Sequence, residues 1–372
     1  MLSAFQDLIY ASGFVHLTLG HLVMWLIAFV LLYLAIKKQY EPLLLLPIAF
    51  GILVVNLPIT HLMEPNEGLI WRFYQYGIKW EVIPPLIFLG LGAMTDFGPV
   101  IANPRVLLLG GGAQAGVFGA YFVALLLGFD LKEAASIAII GGADGPTSIY
   151  LASKLAPHLL GPVAVAAYSY MALVPIVQPP VMRLLTTEAE RKIVMRKLRP
   201  VSKLEKIVFP IITAIVIMLM VPASAALVAM FMLGNLFKES GVVGRLTNTA
   251  QNELMNIVTI LLGISVGATM TAEVFLQPSI LKIFLLGLIA FIIATAAGIL
   301  LAKLMNLFLK EKINPLIGAA GVSAVPMAAR VAHKMGTQAN RQNYLLMHAM
   351  GPNVAGVIGT VVAASILLTF LN

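Results

Sequence analysis

The residues best placed to do chemistry centre on Asp144, in the stretch GGADGPTSIY (141–150). The nearest charged residues are Glu133 and Lys154, and Asp144 is the one charge among the twenty residues between them. A charged acid in a membrane segment costs about 2.5–3.5 kcal/mol, so it needs a bound cation, a proton or a basic partner. Asp144 could also cap a helix that begins at Pro146, and the two roles are compatible.

Two glycines and a proline flank this carboxylate. Gly142 and Gly145 let the chain open, and Pro146 removes a hydrogen-bond donor. Backbone carbonyls exposed beside a carboxylate form a hard-oxygen site, which suits sodium or a proton. The segment therefore predicts a cation site at a broken helix.

A second interrupted segment, NPLIGAAGVSAVPMAAR (314–330), offers further candidates. The amide of Asn314 could cap a half-helix or bind a cation, and the hydroxyl of Ser323 needs a partner in lipid. Gly318 adds to the break. The side chain of Arg330 could extend to the membrane surface, or its planar guanidinium could bind a carboxylate. The sequence does not decide between these two roles.

The uncharged runs 155–182 and 342–372 contain a third set of polar residues. Tyr168 fits a tyrosine of the membrane interface. Tyr170 lies deeper in the run, where its hydroxyl could bind a cation or pass a proton. Asn353 is a candidate ligand, and His348 is interpreted as a buried residue with its hydrogen bonds satisfied.

These residues must be positioned by membrane helices. The chain has 372 residues, of which 60% are hydrophobic and 11% charged, and its mean hydropathy is +0.96. The apolar runs predict an all-α polytopic membrane protein with about 10–11 spans or half-spans. They lie at 17–36, 42–58, 82–95, 106–127, 134–153, 159–182, 207–237, 254–270, 280–302, 313–329 and 344–371.

The order of the parts indicates two inverted-type repeats. Helices in 1–60 precede a first repeat (82–182) broken at 139–150, and 207–372 forms a second repeat broken at 314–330. Interrupted segments at matching places in two halves point to a transporter's binding site. Between the repeats, the basic stretch 183–206 predicts a cytoplasmic loop.

Several classes of function are excluded by what the sequence lacks. It contains no cysteine, and no phosphate-binding loop, Ser-His-Asp spacing or metal-ligand cluster is present. The net charge of +8 comes from loops of a membrane protein and indicates no binding of nucleic acid.

Long motifs over nearly the whole chain closely resemble the membrane β subunit of the sodium-translocating, biotin-dependent decarboxylases of oxaloacetate, methylmalonyl-CoA, glutaconyl-CoA and malonate. The motifs are EPLLLLPIAFG (41–51), GAMTDFGP (92–99), IIGGADGPTSIYLASKLAP (139–157), AAYSYMALVPIVQPPVM (166–182), NPLIGAAGVSAVPMAARV (314–331) and MHAMGPNVAGVIGT (347–360).

The resemblance implies a subunit of the bacterial inner membrane that decarboxylates carboxybiotin, exports sodium and consumes a proton. The expected partners are a biotin carrier, a carboxyltransferase, a small membrane accessory subunit and further copies of the chain. By this resemblance, Asp144 stands at the position of the family's sodium-binding and coupling acid. The family's other essential residues correspond to Tyr170, Asn314, Gly318, Ser323, Arg330 and Asn353. We expect sodium at Asp144, Asn314, Ser323 and Asn353, with Tyr170 at a second site, and catalysis by Asp144, Tyr170 and Arg330.

One departure concerns the substrate. The oxaloacetate members carry a long insertion where this chain has only residues 60–70, which favours an acyl-CoA decarboxylase. The alternative function is a secondary sodium/proton or sodium/organic-anion transporter of similar fold that performs no decarboxylation.

Overall fold

The computed structural model describes residues 10–371, and every regular element among them is a helix. Fourteen α-helices have seven or more residues: α1 (Leu19–Lys37), α2 (Pro42–Val55), α3 (Ile83–Met94), α4 (Leu107–Ala113), α5 (Ala115–Leu126), α6 (Leu131–Ala138), α7 (Gly145–Leu155), α8 (Leu160–Leu185), α9 (Lys203–Met220), α10 (Ala225–Ser240), α11 (Met255–Ala268), α12 (Pro278–Phe308), α13 (Met327–Ala339) and α14 (Leu346–Leu371).

Shorter helical pieces connect them. These are Gly13–His16, Leu69–Phe73, Tyr74–Lys79, Gly98–Ala102, Pro104–Val106, Ile139–Gly142, Pro157–Leu159, Glu188–Arg191, Pro222–Ser224, Gly244–Thr249, Ala250–Leu254, Ala272–Phe275 and Pro315–Gly321. The predicted span 207–237 is covered by a pair of helices, α9 and α10.

Four helical stretches in residues 10–371 are long and apolar enough to cross a membrane: α1, Pro104–Leu126, α12 and α14. The number rises to six if two bent pairs each count as one span. One of these is α8, which bends by 62° between Met171 and Leu173. Pro175 lies within α8 and cannot donate to the carbonyl four residues earlier, which accounts for a bend at this point.

Glycines bring two pairs of helices close together. In the α2–α11 pair, a Cβ on Gly51 would lie 3.1 Å from the Cα of Gly267. In the α3–α10 pair, Cβ atoms on Gly92 and Gly234 would collide with the carbonyls of Phe231 and Leu89. Small residues allow such close backbone contact between membrane helices, where dispersion and hydrogen bonds replace the hydrophobic effect.

The two interrupted segments are packed among α4, α5, α8, α12 and α14. Gly141, in the first segment, lies against Ala290 of α12 and Gly116 of α5. Gly321, in the second, lies against the carbonyl of Leu109 in α4. Both breaks expected from the sequence are therefore present and buried in the protein, where neighbouring helices can satisfy the freed backbone groups.

Candidate functional site

The first break places Asp144 at the start of a half-helix. A short 3₁₀ turn, Ile139–Gly142, ends at Ala143, which adopts a left-handed conformation (φ 53°). Asp144 then caps α7, because its Oδ1 accepts the backbone N–H of Thr147 at 3.1 Å. The residue is only 4% exposed, and its Oδ2 is buried with no hydrogen-bond partner. The capping role is thus present, and one carboxylate oxygen remains available.

The second break meets the first directly. Its 3₁₀ helix, Pro315–Gly321, is followed by an extended stretch in which the N–H of Ser323 donates to the carbonyl of Gly142 at 2.9 Å. The hydroxyl of Ser323 also forms a hydrogen bond of 2.7 Å with that of Thr360 on α14. Gln114 extends the network, since its Oε1 accepts from Thr360 at 3.3 Å.

Asn353 belongs to the same region. Its side-chain N–H donates to the carbonyl of Val322 at 2.6 Å, and its Oδ1 is buried without a partner. Gln178 of α8 is similar, with its N–H donated to the carbonyl of Ala319 at 2.8 Å and its Oε1 unpaired. Buried polar atoms are normally paired, so these free oxygens call for an ion or water.

Sequence reasoning missed Thr360, Gln114 and Gln178. Each is a polar residue inside an apolar run, and that isolation was the signal that could have found them.

Asn314 does not lie with the other predicted sodium ligands. Its side-chain N–H groups donate to the carbonyls of Arg191 and Ile193, each at 2.9 Å. Its Oδ1 accepts the backbone N–H of Leu316 and so caps the 3₁₀ helix Pro315–Gly321. At about 2.0 Å per residue, the seven-residue 3₁₀ helix places Asn314 about 14 Å from the Ser323 end. The structure therefore shows Asn314 attaching the basic loop to the N-terminal end of the second segment.

A second asparagine holds the same loop. Asn343 donates to the carbonyl of Arg191 at 3.0 Å, so this carbonyl accepts from two side-chain amides. Asn314 and Asn343 are both fully buried. The loop is therefore anchored to the membrane core through its main chain.

The predicted glycines and proline have clear structural roles. A Cβ on Gly142 would lie 2.5 Å from the Thr360 side chain, and one on Gly145 would collide with the ring of Tyr168. Pro146 occupies the first turn of α7, where the absence of an N–H costs nothing. Gly318 packs against the backbone carbonyl of Gly298 in α12.

The two tyrosines occupy different surroundings. Tyr168 is not an interface residue: it is 1% exposed, it contacts Gly145 beside Asp144, and its hydroxyl is buried and unpaired. Tyr170 donates its hydroxyl to the carbonyl of Phe284, and its ring packs against Gly287 of α12. Tyr170 thus ties α8 to α12, whereas Tyr168 faces the first break.

Arg330 lies in the first turn of α13, with its side chain exposed. Its positive charge acts on Glu41, the residue that precedes α2: burial raises the pKa of the Glu41 carboxyl, and Arg330 opposes that rise. The Tyr168 hydroxyl is within electrostatic range of both Glu41 and Asp144.

His348 also departs from its interpretation. It is 8% exposed, but its Nδ1 is buried with no hydrogen-bond partner, so its hydrogen bonds are not satisfied.

The donor set around Asp144 suits a monovalent hard cation. Residues 10–371 contain no group of three or more His, Asp or Glu side chains close enough to hold a metal ion. A single carboxylate with amide, hydroxyl and carbonyl oxygens would balance one positive charge, and such oxygen ligands are typical of hard cations. The fold and site define a polytopic membrane protein with a buried carboxylate where two broken helices meet.

Comparison with known proteins identifies the family. Residues 20–371 match the model of the Na+-transporting oxaloacetate decarboxylase β subunit. The β subunit of methylmalonyl-CoA decarboxylase from Veillonella parvula and that of glutaconyl-CoA decarboxylase from Acidaminococcus fermentans are each 60% identical, with 99% of this chain and 98% of the relative covered. The oxaloacetate decarboxylase β chain of Haemophilus ducreyi is 51% identical, with 98% of each chain covered.

The chain belongs to the family of β subunits of Na+-transporting decarboxylases. It is an integral membrane protein and one subunit of a multisubunit complex that couples decarboxylation to sodium transport.

Proposed function

We propose that this chain decarboxylates carboxybiotin delivered by a biotin carrier and uses the free energy to export sodium, with consumption of a proton. The observation that supports this most is the buried, unpaired Oδ2 of Asp144, at the point where the two broken segments are hydrogen-bonded to each other. A carboxylate in this position needs a counter-charge, which sodium or a proton would supply in turn.

Sodium is bound by Asp144 together with Asn353 and Ser323. The free Oδ2 of Asp144 and the free Oδ1 of Asn353 are buried acceptors, and the Ser323 hydroxyl can reorient from Thr360 to offer a lone pair. Asn314 acts differently, by fixing the loop and the outer end of the second segment.

Carboxybiotin enters from the cytoplasm, and Arg330 receives its carboxylate. The guanidinium is exposed, and a planar fork fits a carboxylate. In the reaction the bond from the biotin nitrogen to the carboxyl carbon breaks, CO2 leaves, and the electron pair stays on the nitrogen, which must take up a proton. Asp144 is the candidate donor.

A role for Tyr170 as a proton relay stays a prediction. Its hydroxyl is engaged with Phe284, so relay through it requires that bond to open.

The acid decarboxylated by the complex is an acyl-CoA. Two acyl-CoA relatives are 60% identical in alignments of 369 positions, and a third is 57% identical over 397 positions. The Haemophilus ducreyi oxaloacetate chain is 51% identical, in a longer alignment of 426 positions. A carboxyltransferase, a biotin carrier, a small membrane subunit and further copies of this chain complete the assembly.

The test uses the purified complex reconstituted in vesicles without a sodium gradient. Addition of the acyl-CoA substrate should drive 22Na+ uptake into vesicles whose cytoplasmic face is outward, and avidin, which sequesters biotin, should stop it. Sodium/proton exchange that proceeds without substrate and is insensitive to avidin would instead establish a secondary transporter.

A further inference from the structure

A cavity of about 620 Å³ lies beneath the basic loop, and its lining does not include Asp144, Ser323 or Asn353. Its walls come from the stretch 102–109, from the loop residues 193–199 and from the end of α12 through Ile313, and His348 of α14 completes it. Arg330 does not line it.

The lining is strongly cationic. Arg105, Arg196, Lys197, Arg199 and Lys312 face a single acid, Glu311. Two of these cations are already paired, Arg196 with Glu311 at 2.5 Å and Arg199 with Glu205 at 2.6 Å.

The other three cations are uncompensated. Arg105, Lys197 and Lys312 have no ion-pair partner among residues 10–371. A cavity with three uncompensated cations repels sodium and attracts anions.

His348 provides a second, independent indication of a ligand. The residue is 92% buried, as its exposed fraction is 8%, it is one of the lining residues, and its Nδ1 is buried and unpaired. A buried imidazole nitrogen without a partner is costly unless a ligand or water pairs with it. An anion between His348 and Arg105 would satisfy the nitrogen and the guanidinium together.

We propose that this cavity is an oxyanion-binding site for phosphate-type ligands, held by Arg105, Lys312 and His348. Arginine presents N–H groups that match phosphate oxygens, and lysine adds a point charge. The oxyanion comes either from the cytoplasm as free phosphate or from the headgroup of an anionic phospholipid, because both present the same phosphate oxygens to the cavity.

The site has a structural route to the membrane core. Leu109 is part of its lining, and the carbonyl of Leu109 contacts Gly321, two residues before Ser323. An anion bound here would therefore stabilise the loop and the second broken segment in one arrangement.

Equilibrium dialysis of the purified complex against [32P]phosphate tests the proposal without any turnover. We expect saturable binding, weakened about tenfold by Arg105→Gln or Lys312→Gln, as each removes a charge-assisted hydrogen bond. Arg245→Gln, which removes an exposed cation elsewhere, is the matched control and should leave binding unchanged. His348→Phe should weaken binding, and His348→Asn should restore part of it because the amide supplies an N–H.

Phosphatidylglycerol vesicles distinguish the two sources. Displacement of phosphate by these vesicles, and not by phosphatidylcholine vesicles, identifies a lipid headgroup, and undiminished phosphate binding identifies the free anion. Absence of saturable binding for both ligands, or equal losses in Arg105→Gln and Arg245→Gln, would overturn the proposal. None of these outcomes depends on sodium pumping.

Discussion

The backbone N–H of Ser323 donates to the carbonyl of Gly142 at 2.9 Å, and this bond joins two segments 181 positions apart in the chain. One residue is two positions before Asp144, and the other is hydrogen-bonded to Thr360. The proposed sodium site is therefore built on a contact between two interrupted helices, and displacement of either segment changes its geometry.

Asp144→Asn should keep the fold and abolish sodium-dependent turnover of carboxybiotin. Asparagine caps a helix about as well as aspartate does, so α7 should still begin at the same place. Asp130→Asn is the matched control, because Asp130 caps α6 in the same way but is exposed. Decarboxylation measured against sodium concentration checks this, and normal sodium activation in Asp144→Asn would contradict the proposed role.

Ser323→Ala and Asn353→Ala should each raise the sodium concentration for half activation, and the two effects should be coupled. Residues in one network deviate from additivity by about 0.5–3 kcal/mol, whereas sites more than about 10 Å apart usually add. A double-mutant cycle on sodium affinity measures the coupling. Ser323→Ala with Asn314→Ala provides the additive control, since Asn314 lies at the other end of the segment. Strict additivity in both cycles would mean that Ser323 and Asn353 do not share a site.

Tyr168→Phe should weaken sodium binding without disturbing the packing. The change removes only the buried, unpaired hydroxyl beside Asp144, and the ring that contacts Gly145 remains. Tyr170→Phe should instead lower the thermal stability of the complex, by about 1 kcal/mol, because it removes the hydrogen bond that ties α8 to the carbonyl of Phe284 in α12. Sodium titration and thermal unfolding of both variants separate the roles, and identical behaviour would refute the assignment.

Gly318→Ala should destabilise the protein by about 1–3 kcal/mol or more, because the added Cβ would meet the backbone of Gly298, which cannot move aside like a side chain. Gly111→Ala is the control, as a Cβ there has nothing within 4 Å. Alanine within a helix is favoured over glycine, so this control should be neutral or slightly stabilising. Thermal midpoints of the two purified complexes test the difference, and equal midpoints would show that the segment has room to shift.

The basic loop should face the cytoplasm. In this cysteine-free chain, Val194→Cys should resist an impermeant thiol reagent added outside intact cells and react in inverted vesicles. His61→Cys should show the reverse, because His61 lies beyond the C-terminal end of α2. At that end Asn56 is hydrogen-bonded to Met270 and Ala272, which precede α12. Rapid external labelling at position 194 would invert the topology.

The sequence predicted the two breaks and the cap at Asp144 because their causes are local. Glycine, proline and an aspartate at a helix start act on neighbouring backbone, and no distant residue is needed to interpret them. The hydrogen bond between Gln114 and Thr360 could not be predicted from local sequence, because 246 positions separate the two residues and only helix packing brings them together. The burial of Tyr168 could not be predicted for a related reason: residues two apart on a helix, such as Tyr168 and Tyr170, point about 200° apart, and the sequence does not say which side faces the site.

Asn314 and Asn343 hold the basic loop through hydrogen bonds to the backbone carbonyl of Arg191, and not through the Arg191 side chain. Every residue type offers the same carbonyl, so the loop's side chains can change in evolution without loss of these hydrogen bonds. Attachment and charge are therefore separable traits: one member of the lineage can adapt its loop to a different soluble partner while the register of that loop over the membrane core is inherited unchanged.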